Sequence, residues 1–218
     1  MSSLSHPVLD WLERYGHSSS AILGQVAEQY GHEAEPTLQW LEQQGAIVGC
    51  ASDWRLSRWQ RACAPGPVAR IPALRQRTHH QLLQQLELAA RARGIRHWQE
   101  ERLCRLLNWS KIPDALYIDM NGNRIAVELE LSLKTRWRYE DLLQQYAQLF
   151  AERQIDHLLY IVPVTLVPRM RAILDTPRTV VVADRWWPVT DALRQRWHVQ
   201  NLPDAMIHGP TPPIQHGA

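Results

Sequence analysis

The sequence predicts an α/β protein of two modules, the second built around a mixed sheet. Three observations predict it. Between residues 76 and 200, apolar stretches of helical period alternate with short runs rich in Val, Ile and Leu. Asn121-Gly122 stands between two such runs, the strongest short-range signal for a hairpin. A stretch at 59–75, WQRACAPGPVARIPALR, holds Pro65, Gly66, Pro67 and Pro72, a composition suited to a linker.

Taken in order, residues 1–60 read as three helices and a hairpin. HPVLDWLERYG puts Pro7 near a helix start and Val8, Trp11 and Leu12 on one face. In SSSAILGQVAEQYG, Ser18–Ser20 are candidate caps and Ile22, Val26 and Tyr30 recur at helical spacing. EAEPTLQWLEQQG carries Pro36 in its first turn, Leu38 and Leu41 inward, and Gly45 as the stop. AIVGC and DWRLS are two β-prone runs joined by a small turn. This is the winged-helix plan, in which the third helix enters a DNA groove and the hairpin is the wing. Glu33, Glu35 and Glu42 make that third helix acidic for a groove reader, so either the module serves protein contacts or phosphate contact comes from Arg55, Arg58 and Arg61.

After a linker at 61–75, the second module spans 76–200 and ends in a Pro-rich tail, 201–218. THHQLLQQLELAARARG is an amphipathic helix with Leu82, Leu83, Leu86 and Ala89 inward. His79 and His80 leave it on different faces and form no ligand pair. DALYIDM and RIAVELEL flank the Asn121-Gly122 turn. YEDLLQQYAQLFAERQ is a helix, HLLYIVPV a buried strand, VPRMRAILDT a helix and RTVVVAD a strand. Helices alternating with strands in this way give a sandwich around a mixed sheet.

The 218 residues are ample for a core, and the formal net charge of +2 forces no nucleic-acid reading by itself. Arg far outnumbers Lys, with Arg70, Arg75, Arg77, Arg91, Arg93, Arg96, Arg102 and Arg105 crowded together. Arg clamps phosphate well because its planar fork binds oxygens in pairs. Cys50, Cys63 and Cys104 lack CxxC spacing, so neither a disulfide framework nor a zinc knuckle is expected. Without a basic-then-apolar leader or an apolar run near ~18 residues, a cytoplasmic protein with no membrane insertion is expected.

The chemistry concentrates in KIPDALYIDMNGNRIAVELELSLKTRWRY, residues 111–139. Glu128 and Glu130 are two apart on a strand and leave the same face, while pairing about the hairpin turn brings Asp114 to the far end of that strand. Three converging carboxylates repel one another, and either a hard divalent ion, Mg²⁺ or Mn²⁺, or an ordinary ion pair resolves the conflict.

Pro-Asp, a hairpin and then ELEL resemble the PD-(D/E)xK nuclease core, with Glu130 standing where the motif has lysine. More narrowly, the order PDA, VELE, a nearby lysine and RYEDLLQQY is similar to the replication-relaxation family and the MobC-type plasmid relaxases. The resemblance runs from about Leu9 to Asp184. It implies a winged helix joined to a restriction-endonuclease-like α/β/α domain, with Asp114, Glu128 and Glu130 as metal ligands and Lys134 as the catalytic cation. It places the family's earlier acid on Glu101, with Glu100 the weaker claimant. It sets the helix bearing Arg136, Arg138, Tyr139 and Tyr146 beside the scissile phosphate, while the helical spacing of the two tyrosines equally suits core packing. The implied activity is a site- and strand-specific nick at a plasmid transfer origin, with relaxosome accessory and coupling proteins as partners. A non-catalytic DNA-binding accessory factor or transcriptional regulator, and an unrelated restriction or defence nuclease, are the rival expectations.

Overall fold

The computed structural model describes residues 5–50, 53–64, 68–95, 97–176, 179–182 and 185–210. Pro65, Gly66 and Pro67 of the expected linker, Arg96, and residues 211–218 of the expected tail lie outside the described residues, as does the side chain of Arg75. The chain divides into two compact units, Met1–Leu88 and Ala89–Ala218.

In the first unit, α1 (Pro7–Tyr15) opens with Pro7 in its first turn and is capped by His6, whose Nδ1 accepts from the Val8 amide at 3.2 Å. It closes at Gly16 with φ +77°, where an added Cβ would lie 2.7 Å from the Ala69 carbonyl oxygen. Only glycine fits there. Next come β1 (Ser18–Ser19), α2 (Ser20–Gln29), α3 (Ala34–Gln43), β2 (Ile47–Cys50), β3 (Asp53–Leu56), α4 (Arg58–Cys63) and α5 (Leu74–Ala92). The three strands form an antiparallel sheet in the order β1-β3-β2. Trp11, Leu12, Ile22, Leu23, Leu38, Leu41, Ile47 and Leu56 fill the core, joined by Leu88 from α5.

Two expectations change here. Residues 61–63 are helical rather than linker, because the Ser57 hydroxyl accepts from the Gln60 amide and starts α4. The portion of α5 up to Leu88 belongs to the first unit. Gln84 Oε1 accepts from Trp11 Nε1 at 2.8 Å and from Ser18 Oγ at 2.6 Å. The buried Glu87 carboxylate takes both Arg14 guanidinium nitrogens, at 2.9 and 2.8 Å, and the Tyr15 hydroxyl. These polar partners, which the leucine spacing of α5 could not reveal, hold it to α1.

The second unit continues with β4 (Gln99–Glu100), α6 (Glu101–Cys104), a 3-10 turn at Arg105–Leu107, β5 (Ala115–Ile118), β6 (Arg124–Leu129), α7 (Arg136–Ala151) and β7 (His157–Val162). A 3-10 turn at Val164–Leu166 leads to α8 (Val167–Asp175), then β8 (Thr179–Val182), β9 (Arg185–Pro188), α9 (Asp191–Arg194), β10 (Trp197–Asn201) and α10 (Leu202–His208). The central sheet has the order β10-β7-β6-β5-β4 and is mixed: β10-β7 and β7-β6 run parallel, the others antiparallel. α7 makes the crossover that the parallel β6-β7 pair requires. Its Tyr139, Leu143, Tyr146 and Phe150 pack with Ala126, Leu158 and Tyr160 of the sheet and with Met170 and Leu174 of α8.

The hairpin falls where Asn121-Gly122 predicts it, with Ile118 paired to Arg124. Its loop is longer than two residues because Asp119 Oδ1 accepts from the Asn121 and Asn123 amides, both at 2.8 Å. Of the expected RTVVVAD strand, Arg178, Ala183 and Asp184 lie outside the described residues, and Thr179–Val182 do not enter the central sheet. They pair with β9 in a separate two-stranded ribbon, and β10 fills the edge position beside β7. Residues 202–208 are helical rather than tail: Asn201 Oδ1 accepts from the Asp204 amide at 2.9 Å, Pro203 sits in the first turn, and Ala205 is buried.

Candidate active site

β6 carries Glu128 at its penultimate position, and Glu130 follows directly after the strand, its amide bonded to the Ile161 carbonyl at 2.9 Å. Both side chains are buried, at 5% and 7% exposure. Glu128 pairs with Tyr160 across β6-β7, and Ala115 pairs with Val127, so Asp114 stands one step beyond that pair, beside Glu128. Asp114 Oδ2 accepts from the Leu129 amide at 2.9 Å, which ties the carboxylate to the end of β6.

Each buried glutamate has a lysine and a tyrosine. Lys111 Nζ lies 2.7 Å from Glu128 Oε1, and the Tyr146 hydroxyl donates to the same oxygen. Lys134 Nζ pairs with Glu130 Oε2, while the Tyr139 hydroxyl accepts from the Lys134 amide at 3.2 Å. Each ammonium also lies over its tyrosine ring, 5.7 Å for Lys111 and 5.9 Å for Lys134. The duplication follows from two periods. Glutamates two apart share a strand face, and tyrosines seven apart share a helix face.

Burial, and after it the charge of Asp114, push the Glu128 carboxyl up to about 7, against the opposing pull of Lys111 and the Tyr146 hydroxyl. Tyr139 rises to about 12, chiefly through burial. Burial also raises the hydroxyls of Tyr146 and Tyr160, and the Glu128 charge adds to both shifts. The buried Tyr160 hydroxyl has no hydrogen-bond partner among the described residues.

The other expected residues are placed as follows. Glu100 is buried on β4 and pairs with Arg102 at 3.4 Å, whereas Glu101 begins α6 and pairs with Arg105. Arg136 and Arg138 are exposed at the start of α7, Arg136 holding Glu140 at 2.9 Å. Tyr139 and Tyr146 are fully buried. They position the glutamates and present no surface for direct DNA contact, because α7 turns that face onto the sheet. In the first unit Arg55 and Arg58 are exposed, and Arg61 donates to the Ala69 carbonyl at 3.4 Å.

Lys111 and Tyr160 are the functional candidates that motif reading misses. A signal for Lys111 does exist. The chain has 24 basic Lys and Arg residues, yet its only two lysines, Lys111 and Lys134, are those paired with the buried glutamates.

Among the described residues, no three His, Cys, Asp or Glu side chains gather into a metal-holding group. Glu130 is paired with Lys134. What remains is a carboxylate pair, Asp114 and Glu128. Lys111 Nζ and the Tyr146 hydroxyl both meet the same oxygen of Glu128, Oε1. Mg²⁺ or Mn²⁺ is commonly held by one or two carboxylates, with water and substrate phosphate completing the shell. The donor set fits such an ion, and the unsatisfied Tyr160 hydroxyl adds a polar group beside it.

Fold and site together define a mixed α/β protein with a buried carboxylate–lysine cluster where β5 begins and β6 ends. Set against known proteins, the chain matches no family, no curated sequence and no solved structure. No helix among the described residues is long and apolar enough to cross a membrane.

Proposed function

We propose that the chain is a metal-dependent DNA endonuclease that nicks one strand, a relaxase acting at a plasmid transfer origin. The observation that carries this reading is the half-buried Asp114 set beside the buried Glu128, with the chain's only two lysines nearby. Asp114 and Glu128 would hold the ion. When bound, it supplies Lewis-acid polarisation of a phosphoryl oxygen and a more acidic water. The chain's own residues do the rest. Lys111 and Lys134 bring positive charge to the phosphate as negative charge develops on it. Tyr146 holds the Glu128 carboxylate in one orientation, and Glu130 anchors Lys134. In the first unit α1, α2 and α3 followed by the small antiparallel sheet support a winged-helix reading, with Arg55 and Arg58 exposed for phosphate contact.

A second reading has its own support. Glu128 and Glu130 are each satisfied by a lysine, as in a structural ion-pair network, which suits a DNA-binding protein without catalysis.

Supercoiled plasmids with and without a transfer origin, incubated with Mn²⁺, separate the readings. Conversion to open circle only with the origin, lost in Glu128→Gln with far-UV circular dichroism unchanged, supports the nickase. Origin-independent cutting supports a defence nuclease, and DNA binding without cleavage supports the accessory protein.

A further inference from the structure

Two adjacent tryptophans are left in water on the second unit, Trp186 at 74% exposure and Trp187 at 53%. A tryptophan held at the surface forgoes a large burial gain and marks a contact site. Both lie on β9, whose four residues are all exposed, and the pairings Val181 with Trp186 and Val180 with Trp187 send them to opposite faces of the ribbon. Trp186 walls a cleft of about 900 Å³, within the size range of small-molecule sites, roughly 300–1,000 Å³. The facing wall is the outer side of α7, where Arg136, Glu140 and Gln144 recur at four-residue spacing. The inner side of the same helix carries Tyr139 and Tyr146 to the acidic cluster, so one helix links the cleft to the candidate active site.

The charges in the cleft decide what fits. Arg136 is held by Glu140 at 2.9 Å, and Arg194 donates to the Leu174 and Asp175 carbonyls at 3.3 and 2.8 Å. Both guanidinium groups are thus engaged, and Asp141 and Asp175 add negative charge. A phosphate is disfavoured there. A flat neutral ring with a hydrogen-bonding edge is favoured, since Trp186 supplies a stacking face, Gln144 and Thr179 supply donors and acceptors, and the Thr176 hydroxyl, which donates to the Ala172 carbonyl at 2.7 Å, keeps an acceptor. The geometry points to a subsite for an unpaired nucleobase of a DNA single strand, stacked on Trp186, its phosphates remaining outside the cleft. This inference rests on the reading that the chain acts on DNA.

The test is binding of the full-length chain to a fluorescein-labelled single-stranded 12-mer and to the corresponding duplex, across a salt series. Trp186→Ala should weaken single-strand binding about 5- to 150-fold, the range of one base–aromatic stack. The salt slope and duplex affinity should not change, and Trp186→Phe should keep most of the affinity. At 74% exposure the side chain carries little of the fold, and circular dichroism of each variant confirms that. Single-strand binding that is absent in wild type, unchanged in Trp186→Ala, or lost equally with duplex binding overturns the inference. In the second case the cleft is left for a cationic protein side chain. Catalysis is not needed for the readout. Trp186-dependent binding without any nicking would sink only the nuclease reading, and nicking with Trp186-independent binding only this inference.

Discussion

At the residue scale, the central conflict is Asp114 against Glu128. Burial of Glu128, and then the charge of Asp114 beside it, push the Glu128 carboxyl up to about 7. Asp114→Asn keeps an acceptor for the Leu129 amide and removes one of the two charges. In EDTA this variant should melt about 2–4 °C above wild type, the shift that about 1 kcal/mol produces in a chain of this size. Added Mn²⁺ should raise wild type clearly and the variant much less, because the ion stabilises the state that binds it. A metal-free variant melting below wild type would mark Asp114 as a structural counterion instead. A second residue pair predicts a pH dependence. His157 Nδ1 and His198 Nε2 lie 3.0 Å apart across β7 and β10. Burial, and then the neighbouring His157, lower His198 to about 4, and burial also lowers His157. A depressed folded value means that the neutral ring is favoured in the fold. That stabilisation is present above about 6.5 and is lost as pH falls toward 4. The unfolding free energy from urea titrations should therefore drop over that window, by up to about 1.4 kcal/mol per pH unit for one proton. His198→Gln should flatten the drop, and an unchanged slope would remove the pair as its source.

At the element scale, the instructive case is α5. Its sequence shows one apolar stripe, and that stripe does not say which unit it serves. Glu87 does, through Arg14 and Tyr15 of α1. Removing one partner of a buried ion pair costs about 3–5 kcal/mol. Since Arg14 is partly exposed, Glu87→Ala should cost about 3 kcal/mol in a denaturant titration. Pairing it with Arg14→Met should recover part of the loss. A cost near zero for Glu87→Ala would mean that the α1–α5 contact is dispensable. The β8–β9 ribbon teaches the complementary lesson. RTVVVAD is strand-like by composition, yet β-propensity names no partner, and the central sheet is completed by Trp197–Asn201 instead.

At the scale of the whole molecule, the two units predict where the chain can be cut. A fragment of residues 1–92 should melt cooperatively by circular dichroism, since it keeps Gln84, Glu87 and Leu88 against the first core. A fragment of 1–64 ends at the boundary that proline and glycine suggest, but it exposes the partners of those groups, including Trp11 Nε1 and Ser18 Oγ. It should show no cooperative transition. Cooperative melting of the shorter fragment would return α5 to the second unit.

The sequence by itself determined the α/β class, the three helices and hairpin of the first unit, the turn at Asn121-Gly122, and the burial of Glu128 beside Glu130. Each rests on a local period or a local turn, which neighbouring residues specify without help. Only the tertiary structure decided that Lys111 belongs to Glu128, that the Tyr146 hydroxyl bonds Glu128 while Tyr139 accepts from the Lys134 amide, that Glu130 pairs with Lys134, and that Trp186 walls a cleft. Those pairings join residues on different elements. Nothing in a local period distinguishes one such partner from another until the sheet order and the face of α7 are set.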